Sequence, residues 1–325
     1  MHELTYAQAI NEGIREEMRR DPRIVVMGED VGKFGGVFGV TRGLFDEFGA
    51  ERVRDCPLNE AAIVSFAIGL AIMGHPAIAE LEFMDFTTFA MDPITNQAPK
   101  LRFFWGGQVS VPLVVRTPIA AGLGFGTQHS QSLEAWLVHV PGLRVVMPST
   151  AYDAKGLIKT AIRDPNPVVF AESIGLYSTR GEIPDEEYSI PFGQAEVKRA
   201  GSDVTLVALG LMVPKALQAA EELARHGLDV EVIDPRTVAP LDIETIIQSV
   251  QKTGRLVVAH VAARTGGVGA EIAQQVVERA FDALDGPPVR VAGADVPMAA
   301  SMQLEKATLP DVADIVKACL SFRTC

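Results

Sequence analysis

Cysteine is scarce in this chain: Cys56, Cys319 and Cys325 are the only three among 325 residues, an odd number without metal-type spacing. A disulfide framework and a paired-cysteine metal site are therefore not expected, and the usage suits a reducing cytoplasm. Positive charge is also short. Lys and Arg total 29 against 41 Asp and Glu, a formal charge of −12 that repels phosphate backbones, and no local basic patch offsets it. Nucleic acid is not an expected partner. Nowhere do about 18 apolar residues follow one another, and Met1-His2-Glu3-Leu4-Thr5 has no cationic start leading into an apolar run. Neither a membrane span nor a secretion signal is expected, so the predicted location is cytoplasmic. A P-loop, a His-Glu-x-x-His pair, low-complexity tracts and repeats of solenoid period are missing too.

What is present is an ordinary globular composition, 48% hydrophobic and 22% charged, on a chain long enough for two domains of roughly 150 residues each. Ala7, Ile10, Ile14 and Met18 recur at helical intervals, and Arg23 to Met27 then reads as a short buried strand ending in Gly28-Glu29-Asp30. The pattern next predicts a buried helix over 59–73, a strand over 77–81, a helix over 88–105 and a strand over 111–115. Between Ser173 and Ser202 the composition turns acidic and polar, and from Val204 the alternation of strand and helix restarts. An α/β protein of two domains follows, each a mainly parallel sheet flanked by helices. The expected boundaries are a first domain over 1–175, a linker over 176–202 and a second domain over 203–325.

Gly122, Gly124 and Gly126 form a Gly-x-Gly-x-Gly run, yet the strand, tight turn, helix and downstream acid of a dinucleotide loop are not all there. Gly266-Gly267-Val268-Gly269 reads as a helix start close to another backbone. Glu60 stands where a short turn meets the helix over 59–73, an apolar setting that raises a carboxyl's proton affinity and suits acid-base work. An acid in a first turn is also served by the helix dipole, which is the commoner reason for one there. His129, at the end of the glycine run, is compatible with acid-base catalysis, with a helix cap and with a packed core ring.

Asp55-Cys56-Pro57-Leu58-Asn59-Glu60 and Gln128-His129-Ser130-Gln131 are joined by Pro141 to Pro148, Asp153 to Leu157, Ala161 to Asp164, Gly201 to Val207 and Val232 to Thr237. With these motifs in order, the chain from about Leu4 to Ala318 closely resembles the beta subunits of the thiamin-diphosphate-dependent decarboxylase component of 2-oxo acid dehydrogenase complexes, of the pyruvate and acetoin type. The resemblance implies a transketolase-like pyrimidine-binding domain followed by a transketolase C-terminal domain. It also implies an alpha subunit that completes an alpha2-beta2 heterotetramer and holds the diphosphate and its Mg²⁺, so that this chain is inactive alone. The resemblance further implies a lipoyl acyltransferase core that takes the acyl group. Glu60 takes the place of the carboxyl that bonds the pyrimidine nitrogen, Phe86 that of the ring packed on the pyrimidine face, and His129 that of a histidine facing the reactive carbon. Leu113, Ala161, Ile162, Asp164 and Asn166 match a structural potassium site, mostly through backbone oxygens.

The chain also departs from that pattern. His260-Val261 stands where many relatives have His-Glu, Pro297 to Glu305 replaces a Pro-rich segment, and Phe89 stands where some pyruvate enzymes have Gln. Pyruvate is the default substrate and acetoin the close alternative, with a branched-chain 2-oxo acid less favoured. A split transketolase half and a noncatalytic assembly subunit are rival readings; the first calls for an Arg and His cluster that is not identifiable here, and retention of Glu60 and His129 argues against the second.

Overall fold

The computed structural model describes residues 1–323, which leaves Cys325 outside the described residues. The chain packs as two units, Met1–Ile119 with Trp136–Phe192, and Ala120–Ala135 with Gly193 onward.

The first unit begins with β1 (His2–Thr5), α1 (Tyr6–Arg20), β2 (Val25–Gly28), α2 (Leu44–Phe48), β3 (Val53–Asp55), α3 (Glu60–Ile72), β4 (Ala77–Glu80), α4 (Ala98–Phe104) and β5 (Leu113–Ile119). After α5 (Glu134–Val138) come β6 (Arg144–Val146), α6 (Ala151–Arg163), β7 (Val168–Ser173) and β8 (Arg180–Ile183). Its sheet runs β6-β7-β5-β4-β2-β3, all parallel. Every residue of β2, β4, β5 and β7 is buried, because helices cover both faces, and these strands therefore begin as apolar runs instead of alternating ones, with the charged Glu80, Arg116 and Glu172 buried further along β4, β5 and β7. α1 starts at a capping box between Thr5 and Gln8. β8 pairs antiparallel with β1, and its Ile183 packs against Ala9 and Ala151.

The second unit contains β9 (Glu196–Arg199), β10 (Val204–Ala208), α7 (Met212–Arg225), β11 (Val230–Asp234), β12 (Thr237–Ala239), α8 (Ile243–Thr253), β13 (Leu256–Ala263), α9 (Val268–Ala280), β14 (Val289–Gly293), α10 (Met302–Thr308) and α11 (Val312–Leu320). Its sheet order is β14-β13-β10-β11-β9, parallel except for β9.

The helix expected over 88–105 is broken. A 3-10 turn spans Met84–Thr88, a π turn Asp92–Gln97, and only α4 is regular. Pro93 and Pro99 are the reason: each lacks an N–H, and the ladder resumes in wider register with the Ala98 N–H bonded to the Pro93 carbonyl. The stretch over 176–202, expected as a linker, carries β8 and β9, and the division by packing falls between Phe192 and Gly193.

Candidate active site

In the first sheet the chain steps from β2 outward to β3, then returns to place β4 on the other side of β2. The crevice beyond the carboxyl ends of β2 and β4 is thus a topological switch point, where open α/β sheets bind ligands. Four acids gather around those ends. Glu29 and Asp30 follow β2 directly, Glu60 opens α3 after β3, and Glu82 lies just past β4. The Asn59 side chain caps α3 by accepting the Ala62 N–H at 3.0 Å, which fixes Glu60 in the first turn. Gly28 allows β2 to end there, since a Cβ would lie 2.7 Å from the Glu80 carbonyl oxygen.

Glu29 and Glu60 are each only 7% exposed. Burial, then the charges of Glu82, Glu60 and Asp30, push the Glu29 carboxyl up to about 7, against a smaller opposing pull from the Asn59 backbone N–H. Neither Glu29 carboxylate oxygen makes a hydrogen bond of normal geometry within the chain. Glu82 is also raised, first by burial and then by Asp30 and Glu60. The site therefore holds a carboxyl that exchanges protons near neutrality.

A raised carboxyl makes folding less favourable as pH climbs. Glu29 adds nothing below the ordinary value of 4.5, and its destabilisation is complete above about 7. Glu29→Gln removes that buried charge and is expected to stabilise the isolated chain by about 1–3 kcal/mol at pH 8 and to change little at pH 4.5. Thermal melts of both proteins at the two pH values check this; an equal gain at both would show that burial of charge is not the cause.

Phe86, in the 3-10 turn after β4, is half-buried, with its ring edge-on to Phe83 at 5.5 Å and tilted toward Phe89 at 6.3 Å. Phe89 itself is 69% exposed. At the strand ends Arg116 is fully buried. Its guanidinium bonds Glu172 at 2.7 and 2.8 Å and pairs with Glu80, while the Tyr177 hydroxyl donates to Glu172 at 2.6 Å.

His129 belongs to the segment that packs with the second unit. Its backbone N–H reaches the Gly126 carbonyl at 3.5 Å, and further along the loop the Ser132 hydroxyl bonds the buried Glu134 carboxylate at 2.5 Å. Thr127, Gln131 and Ser132 line a cavity of about 380 Å³ together with Ala262, Asp295 and Met298. Val261 is buried in β13, and the His260 ring lies against Gly267 and Gly269, where an added Cβ would come within 2.5 and 2.7 Å of it. Burial pushes His260 down to about 4.

The potassium positions lie at the other end of the first sheet. Leu113 opens β5, and Ala161 to Asn166 form the turn from α6 into β7. Asp164 accepts the Asn166 backbone N–H at 2.8 Å and pairs with Arg144 at 2.8 Å, and Asn166 Oδ1 accepts from Arg102 at 2.9 Å. The side-chain oxygens are engaged, so a cation would rest on backbone carbonyls at the α6 C-terminus, which is the negative end of the helix dipole. Among the described residues no group of three or more His, Cys, Asp or Glu is arranged to hold a metal ion, and no helix is long and apolar enough to cross a membrane.

Glu60 and Phe86 thus belong to the first unit and His129 to the second. Sequence reasoning missed Glu29 and Glu82. Their signal was available, because an acid directly after a buried parallel strand sits at the binding end of the sheet.

The transketolase pyrimidine binding domain matches residues 2–179, and the transketolase C-terminal domain matches residues 193–315. Pyruvate dehydrogenase E1 component subunit beta-2, mitochondrial, of Oryza sativa is 45% identical over 320 residues, covering 97% of this chain and 85% of the relative. The chain belongs to this transketolase-like family of E1 beta subunits. Another such beta subunit, pyruvate dehydrogenase E1 component subunit beta of Bacillus subtilis, is 43% identical, with 98% of each chain covered. The beta subunit of the acetoin:2,6-dichlorophenolindophenol oxidoreductase of Cupriavidus necator is 44% identical, covering 97% of this chain and 96% of that one. A solved structure described as a split gene transketolase, inactive beta4 tetramer, aligns with a TM-score of 0.81 at 24% identity over 99% of this chain and 98% of that one, which shows the same fold. As an E1-type beta subunit, the chain carries its acid cluster at the strand ends of the pyrimidine binding domain.

Proposed function

We propose that this chain is the beta subunit of a cytoplasmic thiamin-diphosphate-dependent pyruvate dehydrogenase E1 component that decarboxylates pyruvate and passes the acyl group to a lipoyl disulfide. The observation that carries the reading is Glu60, buried at the switch point beside a Glu29 carboxyl that protonates near 7, in a chain 45% identical to the pyruvate dehydrogenase E1 component subunit beta-2 of Oryza sativa. These residues fit an aminopyrimidine: a buried carboxyl can bond a ring nitrogen, and the half-exposed Phe86 offers its face. When bound, thiamin diphosphate would supply an acidic thiazolium C–H as a source of the carbon nucleophile, and its cationic ring as the electron sink for the bond that breaks.

The chain's own residues orient and move protons. With the cofactor bound, Glu60 would hold a proton at the pyrimidine nitrogen, Glu29 would exchange a proton near Glu60, and Phe86 would offer its face to the ring. His129 orients the substrate and donates a proton after decarboxylation. An alpha subunit holds the diphosphate and Mg²⁺ and completes an alpha2-beta2 tetramer. Co-expression with that subunit, followed by cofactor-dependent dye reduction on pyruvate, acetoin and 3-methyl-2-oxobutanoate, tests the reading. Turnover on pyruvate that is lost in Glu60→Ala supports it. A preference for acetoin favours the second reading, supported by the Cupriavidus relative; a folded tetramer that turns over none of the three overturns both.

We also assign potassium to the backbone carbonyls around Leu113, Ala161 and Ile162, with Asp164 and Asn166 shaping the turn. Saturating K⁺ is then expected to stabilise the tetramer by about 1–3 kcal/mol. Its Tm should stand a few degrees higher in potassium chloride than in choline chloride of equal ionic strength, and equal melting would remove the site.

A further inference from the structure

Glu305, in α10, is fully buried. Its two carboxylate oxygens accept the backbone N–H groups of Gly122 at 2.9 Å and Gly124 at 2.7 Å. Both glycines have positive φ, +90° and +77°, a conformation that turns successive N–H groups toward one anion. The rest of the α10 segment follows the loop closely. A Cβ on Gly124 would lie 3.0 Å from Met302 Cγ, and one on Gly126 would lie 3.5 Å from Ala300 Cβ. Glu305 is itself held, since its N–H donates to the Ser301 carbonyl at 2.8 Å and its carbonyl accepts the Thr308 hydroxyl at 2.8 Å.

We propose that Glu305 is a positioning residue for the reaction: its carboxylate clamps the glycine loop at Gly122 and Gly124 and so sets the place of His129 five residues further on. A carboxylate bonded to two N–H groups is a strong, geometrically selective anchor, and a loop with this much glycine has no rigidity of its own. The second domain thereby controls a residue encoded within the first. The kinetic part rests on the role given to His129 under the proposed function, whereas the clamp is measurable without it.

The test uses Glu305→Gln in the complex with the alpha subunit, because the amide keeps the shape but can accept only one of the two bonds. Hydrogen exchange at the amides of Gly122 and Gly124 should quicken at least about tenfold, while amides of β10 are unchanged; unchanged loop exchange removes the clamp. The kcat should fall about tenfold or more, with the cofactor's apparent affinity altered less than about twofold, since Glu60 and Phe86 lie outside this loop. The decisive readout is a double-mutant cycle with His129→Ala. Loss of the Glu305→Gln effect in that background supports positioning, and full additivity overturns it. Gly124→Ala, which strains the same loop from its own side, should reproduce the kinetic loss and stands in if Glu305→Gln does not fold. If wild-type complex turns over no 2-oxo acid, the functional reading fails while the exchange result still decides the clamp.

Discussion

Replacing Glu60 by glutamine is expected to lower kcat of the reconstituted complex by roughly two to four orders of magnitude, the usual scale for a lost proton-transfer group. That corresponds to about 3–5 kcal/mol of barrier. The amide keeps the size of the side chain and the Asn59 cap that starts α3, but it cannot hold or release a proton at a ring nitrogen. The structural cost is small, since one charge at a helix N-terminus is worth about 0.3–1 kcal/mol. Steady-state kinetics on pyruvate, with circular dichroism to show an intact fold, separates the two roles. A kcat within about threefold of wild type would reduce Glu60 to a helix-start acid. Here Glu29 sharpens the expectation: burial and the Glu82 charge still raise it when the Glu60 charge is gone, so the residual activity of the variant should still vary with pH, with a midpoint lower than in the wild type.

Replacing Arg116 by methionine is expected to destabilise the first unit by about 3–5 kcal/mol. Arg116 is 1% exposed, and it joins Glu80 at the end of β4 to Glu172 in β7 across β5. Burial works against the charged guanidinium, yet Glu172 and Glu80 hold it firmly protonated. Burial likewise raises Glu80, against the pull of Arg116. Removing the cation leaves two carboxyls and the Tyr177 hydroxyl in a space from which water is excluded, and at least one carboxyl must take up a proton to stay. Denaturant unfolding followed by a probe in the first unit measures the loss, because two units need not unfold as one. Adding Glu80→Gln and Glu172→Gln to Arg116→Met should recover a large part of it. If the single variant loses less than about 1 kcal/mol, the network is not a buried ion cluster.

Much of the fold was legible from apolar pattern alone. Val25–Gly28, Ala77–Glu80 and Val204–Ala208 stand where short apolar runs predicted strands, because a parallel strand buried on both faces has little choice of residue. The helix over 88–105 misled for a local reason, as its apolar period continued through Pro93 and Pro99 while its hydrogen bonds did not. α10 left almost no trace, since Met302 and Leu304 are exposed and only Glu305 is buried. A buried carboxylate serving two distant backbone N–H groups has no sequence period.

The sequence by itself determined the α/β class, through its alternating apolar runs, the Glu60 motif at the start of α3, and, through a resemblance carried by several motifs in one order, the family to which the chain belongs. Glu29 and Glu82 joined Glu60 only when parallel pairing brought the ends of β2, β3 and β4 to one edge. The sixteen residues of Ala120–Ala135 likewise joined the second unit through contacts made nearly two hundred residues later in the chain. Desolvation and charge proximity, which set the protonation of Glu29 and the hold on Arg116, depend on distances through space. Only the tertiary structure supplies those.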